Sequence, residues 1–317
     1  MRHFTANEVH RLSPYDEIVD ALEATYTNEV VAPARHHHHI ANPGGADTTL
    51  LLMPAWRAGE AIGVKIVTIC PDNAKRGNPS VDGIYFWQDA RTGKPLASFD
   101  GAALTARRTA GASALAARYL ARKDARTHLI VGTGALALHL IRAHATQRPI
   151  TKAFIWGRTK SKAQAVAHAA QGSGFDVEVA EELESAARNA DIISCATLSS
   201  EPLILGRWLK PGAHLDLVGA FKPEMRESDD EAVKRATLFC DSKETAPVES
   251  GDLAIPLQSG VISPDAIIGD LRDLATGKHP GRTSDEEITL YKSVGGAVQD
   301  YAAAALIWKK ASDFART

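Results

Sequence analysis

The segment Val131-Gly132-Thr133-Gly134-Ala135-Leu136-Ala137 follows the short run His128 to Val131 and leads into a stretch of helical periodicity. Gly132 permits a tight strand-to-helix turn, Gly134 lets a ligand approach the backbone, and Ala137 lets the helix pack closely on the strand. The start of that helix offers free N–H groups and the positive end of its dipole, which suits phosphate. The pattern is G-x-G-x-x-A, a variant of the dinucleotide fingerprint. Alone it reads equally well as a plain glycine turn. Its context strengthens it, because a second strand ends about two dozen residues later within one βαβ unit.

Around this motif the pattern alternates strand and helix. Strands are expected at His128 to Val131, Ala153 to Trp156, Asp176 to Val179, Ile192 to Cys195, His214 to Val218 and Leu238 to Asp241. This alternation predicts an α/β fold with a Rossmann doubly wound parallel sheet. The first 120 residues read differently. Ser13 caps a helix that has Pro14 at its first position and runs to about Asn28. Strands follow at Arg35 to Ala41, Thr48 to Trp56, Ala61 to Cys70, Gly83 to Asp89 and Pro95 to Phe99, then an Ala-rich helix from Gly101 to Ala121. This is an α+β domain with a largely antiparallel sheet. The expected division is residues 1–122 with 297–317 as one domain and 123–296 as the dinucleotide-binding domain. The last helix, Gly296 to about Ala311, belongs to the first.

The end of the second Rossmann strand bears on cofactor choice. An NAD-specific site usually carries Asp or Glu there for the ribose 2′-hydroxyl. Here the chain reads Trp156-Gly157-Arg158-Thr159-Lys160-Ser161-Lys162. Arg158 and Lys160 suit a 2′-phosphate, so NADPH is favoured, with NADH possible. The alternative is a solvated basic helix start, which the helix dipole opposes.

Of the 317 residues, 44% are hydrophobic and 23% charged, and the formal net charge of −2 offers no basic excess for nucleic acid. No apolar run approaches the roughly 18 residues needed to span a bilayer, and no secretory signal is expected. Cys70, Cys195 and Cys240 are odd in number and widely spaced, which argues against a disulfide framework and suits a reduced, cytoplasmic setting. His36 to His39 lie on an expected strand, where alternation points two to each face, so adjacent rings diverge and no metal site is expected.

Three cations in the first domain, Arg35, Lys65 and Arg108, sit in apolar or Ala-rich surroundings and suggest an anion site. Lys65 stands within Ile62-Gly63-Val64-Lys65-Ile66-Val67, where a strand buries it, and lysine is rarely buried without a partner. Each could equally be a structural ion-pair residue.

Over nearly its whole length the chain resembles the ornithine cyclodeaminase/μ-crystallin family. The segments that carry the resemblance are Leu104 to Ala110, Val131 to Ala135, Glu201 to His214, Val218-Gly219-Ala220, Met225-Arg226-Glu227-Ser228-Asp229-Asp230 and Tyr291-Lys292-Ser293-Val294-Gly295. The resemblance implies a dimer assembled through the first-domain sheets and a small-molecule imine or amino-acid substrate. It places substrate-carboxylate arginines on Arg35 and Arg108 and the active-site lysine on Lys65, so that Lys65 and Arg108 are the catalytic candidates. It places cofactor contacts on Thr109, on the loop Gly132, Thr133, Gly134, Ala135 and Leu136, on Arg158 and Thr159, on Ala196, Thr197 and Leu198, and on Val218 and Ser293. Ornithine cyclodeaminases have an aspartate after the Val-Gly-Gly segment, where this chain has Phe221. Phe221 cannot exchange a proton or pair with an ammonium, but it suits an apolar ring or simple core packing. The resemblance therefore points to the ketimine reductase branch, acting on Δ1-pyrroline-2-carboxylate or Δ1-piperideine-2-carboxylate. Ornithine cyclodeamination, alanine dehydrogenation and non-catalytic NADPH-dependent ligand binding stand as alternatives.

Overall fold

The computed structural model describes residues 1–314. The chain forms two compact units: Met1–Arg108 with the segment from Gly296 onward, and Thr109–Gly295.

The first unit is built on six strands: β1 (Arg2–Phe4), β2 (His36–Ile40), β3 (Thr48–Arg57), β4 (Ala61–Ile69), β5 (Val81–Asp89) and β6 (Pro95–Asp100). Their order is β1-β6-β5-β4-β3-β2, antiparallel except that β1 runs parallel to β6. Strand β1 was not expected, since three residues carry no readable alternation. A helix at Ala6–Leu12 also escaped the sequence reading, although Thr5 and Glu8 close a capping box at its start. That helix corrects the role given to Ser13, whose hydroxyl donates to the Val9 carbonyl at 2.5 Å. Pro14 is the N-cap of the following helix, Tyr15–Thr27. Tyr15, Ile18, Val19, Leu22 and Tyr26 form its buried face at helical spacing. This helix and the C-terminal helix Ala297–Phe314 pack on each other, and the latter also covers β3 and β4.

The pleat gives the sheet two different faces. The inward row Met53, Lys65, Tyr85 and Phe99 runs across four strands, and all four side chains are buried. The outward rows, Leu52 with Ile66 and Ile84 and Pro54 with Val64 and Phe86, are apolar yet only half-buried. The histidines divide as alternation requires. His36 and His38 pair with Leu52 and Leu50, His37 and His39 with Leu51 and Thr49, and all four are exposed.

The second unit carries β7 (Thr127–Val131), β8 (Lys152–Trp156), β9 (Asp176–Val179), β10 (Ile192–Cys195), β11 (His214–Leu217), β12 (Thr237–Cys240), β13 (Ile267–Asp270) and β14 (Thr289–Lys292). They form one wholly parallel sheet of order β13-β12-β14-β11-β10-β7-β8-β9. This is the doubly wound Rossmann-type sheet, with its switch point between β7 and β10, flanked by helices that bury Leu129, Val131, Ile193, Leu215, Leu217 and Leu290. Strands β13 and β14 were not expected. Among the described residues no helix is long and apolar enough to cross a membrane.

Candidate functional site

Two groups of predicted residues come together, one in each unit. In the first unit, the pleat that buries Met53 also turns Lys65 inward. Its ammonium lies 3.0 Å from Asp300 Oδ1. Arg108 reaches the same oxygen through Nε, also at 3.0 Å, and donates from Nη1 to Gln299 Oε1 at 2.9 Å. Gln299 in turn donates to the Tyr26 hydroxyl at 3.3 Å. Asp300 is completely buried, and its Oδ2 has no hydrogen-bond partner among the described residues; the Tyr85 hydroxyl has none either. Gly63 is required beside them, because a Cβ there would sit 1.8 Å from the Tyr85 oxygen.

The electrostatics of this cluster are unbalanced. Two buried cations share one carboxylate, and an uncompensated buried charge costs several kcal/mol unless an anion joins it. Burial drives the Lys65 pKa down to about 8; Asp300 opposes that shift, while Arg108 and Arg35 reinforce it. Arg35 is only partly buried, but its charge is felt at Lys65. Asp300 was missed by sequence reasoning. An acidic residue one turn inside an Ala-rich apolar helix was the available signal.

In the second unit, the glycine loop opens onto a cavity of about 270 Å³. Of the expected cofactor residues, Gly132, Thr133, Gly134, Arg158, Thr159, Ala196, Thr197 and Leu198 line it, together with Trp156 and Lys162. The cavity fits a dinucleotide in three respects. Gly132 has φ +123°, and a Cβ there would lie 2.5 Å from the Ala196 carbonyl oxygen. A Cβ at Gly134 would meet no atom within 4 Å, so packing does not explain this glycine, and the space stays open to a ligand. The helix Ala137–Ala145 has no side-chain cap, which leaves its first N–H groups available.

Other expected cofactor residues lie elsewhere. Ala135 and Leu136 continue the loop without lining the cavity, and Thr109, Val218 and Ser293 are buried away from its lining. Lys160 is turned aside, with its ammonium bound to both carboxylate oxygens of Glu181 at 2.7 and 2.9 Å. Lys162 lines the cavity in its place. Arg158 is exposed there and forms no ion pair among the described residues. Phe221 is 36% exposed, which excludes core packing as the reason for its presence. Among the described residues no cluster of three or more His, Cys, Asp or Glu side chains could hold a metal.

The profile of the ornithine cyclodeaminase/mu-crystallin family matches residues 3–314. The Δ1-pyrroline-2-carboxylate reductase of Paracoccus denitrificans is 38% identical over 289 residues, covering 91% of each chain. The solved Δ1-pyrroline-2-carboxylate reductase of Thermococcus litoralis, in complex with NADH and L-proline, superposes with a TM-score of 0.93 at 33% identity, covering 99% of this chain and 98% of that one. An archaeal alanine dehydrogenase dimer with bound NAD gives a TM-score of 0.90 at 28% identity, over 99% of this chain and 96% of the other. The chain belongs to the ornithine cyclodeaminase/mu-crystallin family.

Proposed function

We propose that this chain reduces a cyclic ketimine carboxylate with NADPH, Δ1-pyrroline-2-carboxylate to L-proline foremost and its six-membered homologue to L-pipecolate. The observation that carries the substrate class is the unbalanced cluster Lys65–Asp300–Arg108, which has charge and hydrogen-bonding capacity for one carboxylate. The relatives that reduce Δ1-pyrroline-2-carboxylate support the reaction.

In this reading, Arg108 holds the substrate carboxylate through Nη2, the nitrogen left over after Nε and Nη1 bind Asp300 and Gln299. Arg35 closes on the same group. Fixing the carboxylate fixes the adjacent C=N carbon, which is a proximity effect. Lys65 gives its proton to the imine nitrogen and is recharged from solvent. Asp300 keeps Lys65 protonated before transfer. When bound, NAD(P)H supplies the hydride that the carbon accepts. Thr133, Gly134 and the open helix start hold the pyrophosphate, and Arg158 with Lys162 holds a 2′-phosphate. Phe221 offers an apolar surface to the ring.

Two further parts of the reading concern setting. The half-buried apolar outer face of the first-unit sheet suits a second copy of the chain, giving a homodimer. Three free cysteines, two of them buried, suit a reduced cytoplasmic compartment. The test is NADPH oxidation followed side by side with Δ1-pyrroline-2-carboxylate, Δ1-piperideine-2-carboxylate and pyruvate plus ammonia, with proline formation from ornithine as a control. Turnover of a cyclic imine is expected. Turnover of pyruvate plus ammonia alone makes the chain an alanine dehydrogenase, and proline from ornithine makes it a cyclodeaminase.

A further inference from the structure

Glu227 has an environment that its place in the chain does not explain. It lies in an irregular segment between β11 and the helix Asp230–Arg235, yet it is wholly inaccessible to solvent. Its carboxylate gathers four donors from two loops. Oε1 accepts from the Thr197 amide at 2.6 Å and the Thr197 hydroxyl at 2.7 Å. Oε2 accepts from the amides of Gly219 at 2.8 Å and Ala220 at 3.3 Å. Those loops follow β10 and β11, so one side chain ties together the carboxyl ends of two neighbouring strands.

The tie is itself held. Asp252 Oδ1 accepts the amides of Glu227 and Ser228 at 2.8 and 3.2 Å, and Asp252 Oδ2 pairs with the buried Lys292 at 3.0 Å. Gly219 leaves no slack, because a Cβ there would lie 2.1 Å from the Thr197 carbonyl oxygen and 2.5 Å from Glu227 Oε1.

Topology says which part of the ligand this assembly serves. Arg158 follows β8, on one side of β7, whereas β10 and β11 lie on the other. A dinucleotide spans the switch point of such a sheet, with one half over each side. Cations for a 2′-phosphate mark the β8 side as the adenosine side, which leaves the loops after β10 and β11 to the nicotinamide half.

We infer that Glu227 is the positioning residue of the nicotinamide half-site, fixing the loops 196–198 and 218–220 in one arrangement without touching substrate or cofactor. The inference rests on the dinucleotide reading of the cavity. Both carboxylate oxygens face donors only, so the side chain must be a pure acceptor. Glu227→Gln keeps the shape but points an NH2 group at N–H donors, while Glu227→Asp keeps the charge but is too short to reach both loops.

The test compares two probes on the unliganded protein: NADPH, which fills both halves, and adenosine 2′,5′-bisphosphate, which fills only the adenosine half. Quenching of protein fluorescence, to which Trp156 at the cavity contributes, reports both. Glu227→Gln is expected to weaken NADPH about tenfold, the order expected for losing a buried charge-assisted hydrogen bond, and to leave the bisphosphate unchanged. Amide exchange at Thr197, Gly219 and Ala220 is expected to speed up while that at Gly132 and Gly134 does not. Equal weakening of both probes, or of neither in a folded variant, overturns the inference. Should Glu227→Gln not fold, Glu227→Asp keeps the charge but cannot hold both loops, and its NADPH affinity must fall by about threefold with the bisphosphate unaffected. Failure of wild-type protein to bind either probe refutes the dinucleotide reading itself rather than the role of Glu227.

Discussion

The two units bury charge in opposite ways. In the first, Lys65 and Arg108 share a single oxygen of Asp300, whose other oxygen has no partner among the described residues. In the second, Glu227, Asp252 and Lys292 are matched almost atom for atom by donors and acceptors. A buried polar network persists when its members are satisfied, and an unsatisfied one needs something more to complete it. The first cluster has the chemistry of a site awaiting an anion, and the second that of a scaffold.

This contrast breaks first at the lysines. Lys65→Met removes the proposed proton donor and should lower kcat by about 10²–10⁴-fold. It should leave the melting temperature equal or higher, because Asp300 then balances Arg108 alone. Lys292→Met, by contrast, leaves Asp252 and Glu227 buried without their cation, and should destabilise by about 3–5 kcal/mol in denaturant unfolding. If both lysine variants lose stability alike, the distinction between site and scaffold fails.

A second buried cluster in the Rossmann unit makes the stability of this unit depend on pH. His128 Nε2 donates to the Ser194 hydroxyl at 2.9 Å, Ser194 donates to Asp216 at 2.7 Å, and Ser113 donates to Asp216 at 3.0 Å. The His144 ring lies 4.5 Å from that of His128, and His214 meets Thr289 at 2.9 Å, with Arg148 and Arg282 nearby. Burial holds His128 and His214 well below the usual imidazole range and His144 at about 4, so all three are neutral in the fold and take up protons on unfolding below about pH 6.5. Burial raises Asp216 to about 7, and its contribution has the opposite sign, being lost as pH rises toward that value. Three imidazoles against one carboxyl leave a net uptake of about two protons, so stability should fall by roughly 2–3 kcal/mol per pH unit between about pH 6 and 5. Unfolding curves across that range check this, and His144→Phe should flatten the slope.

The smallest expected effect concerns the cofactor. Arg158→Ala should reduce the preference for NADPH over NADH by about tenfold or more, the worth of a charge-assisted hydrogen bond. Lys160→Ala should change it little, since Lys160 is bound to Glu181. The ratio of kcat/KM for the two cofactors measures both. An unchanged ratio in Arg158→Ala removes the 2′-phosphate assignment.

What the sequence made legible follows from range. The glycine loop declares itself because its chemistry lies within six consecutive residues, and the strands that were read declare themselves as short apolar runs bounded by turn residues. Strand β14 did not, because Thr289 and Lys292 are polar residues buried only through partners distant in sequence, the Leu120 carbonyl and His214 for one and Asp252 for the other. Asp300 and Glu227 were illegible for the same reason: Asp300 meets Lys65 across 235 positions, and Glu227 meets Thr197 across 30. Lys160 and Lys162 are indistinguishable as letters, and only the position of Glu181 shows which one is free to face the cavity.

The role proposed for Lys65 is that of a proton donor whose charge Asp300 maintains. Its most direct test is the pH dependence of kcat/KM for Δ1-pyrroline-2-carboxylate in wild-type protein and in Asp300→Asn. Lys65 must be protonated to act, so wild-type activity should fall as pH rises through about 8. Removing the Asp300 charge should move that fall to lower pH. A descending limb that stays where it was in Asp300→Asn, or is absent from wild type, means that Lys65 is not the proton donor.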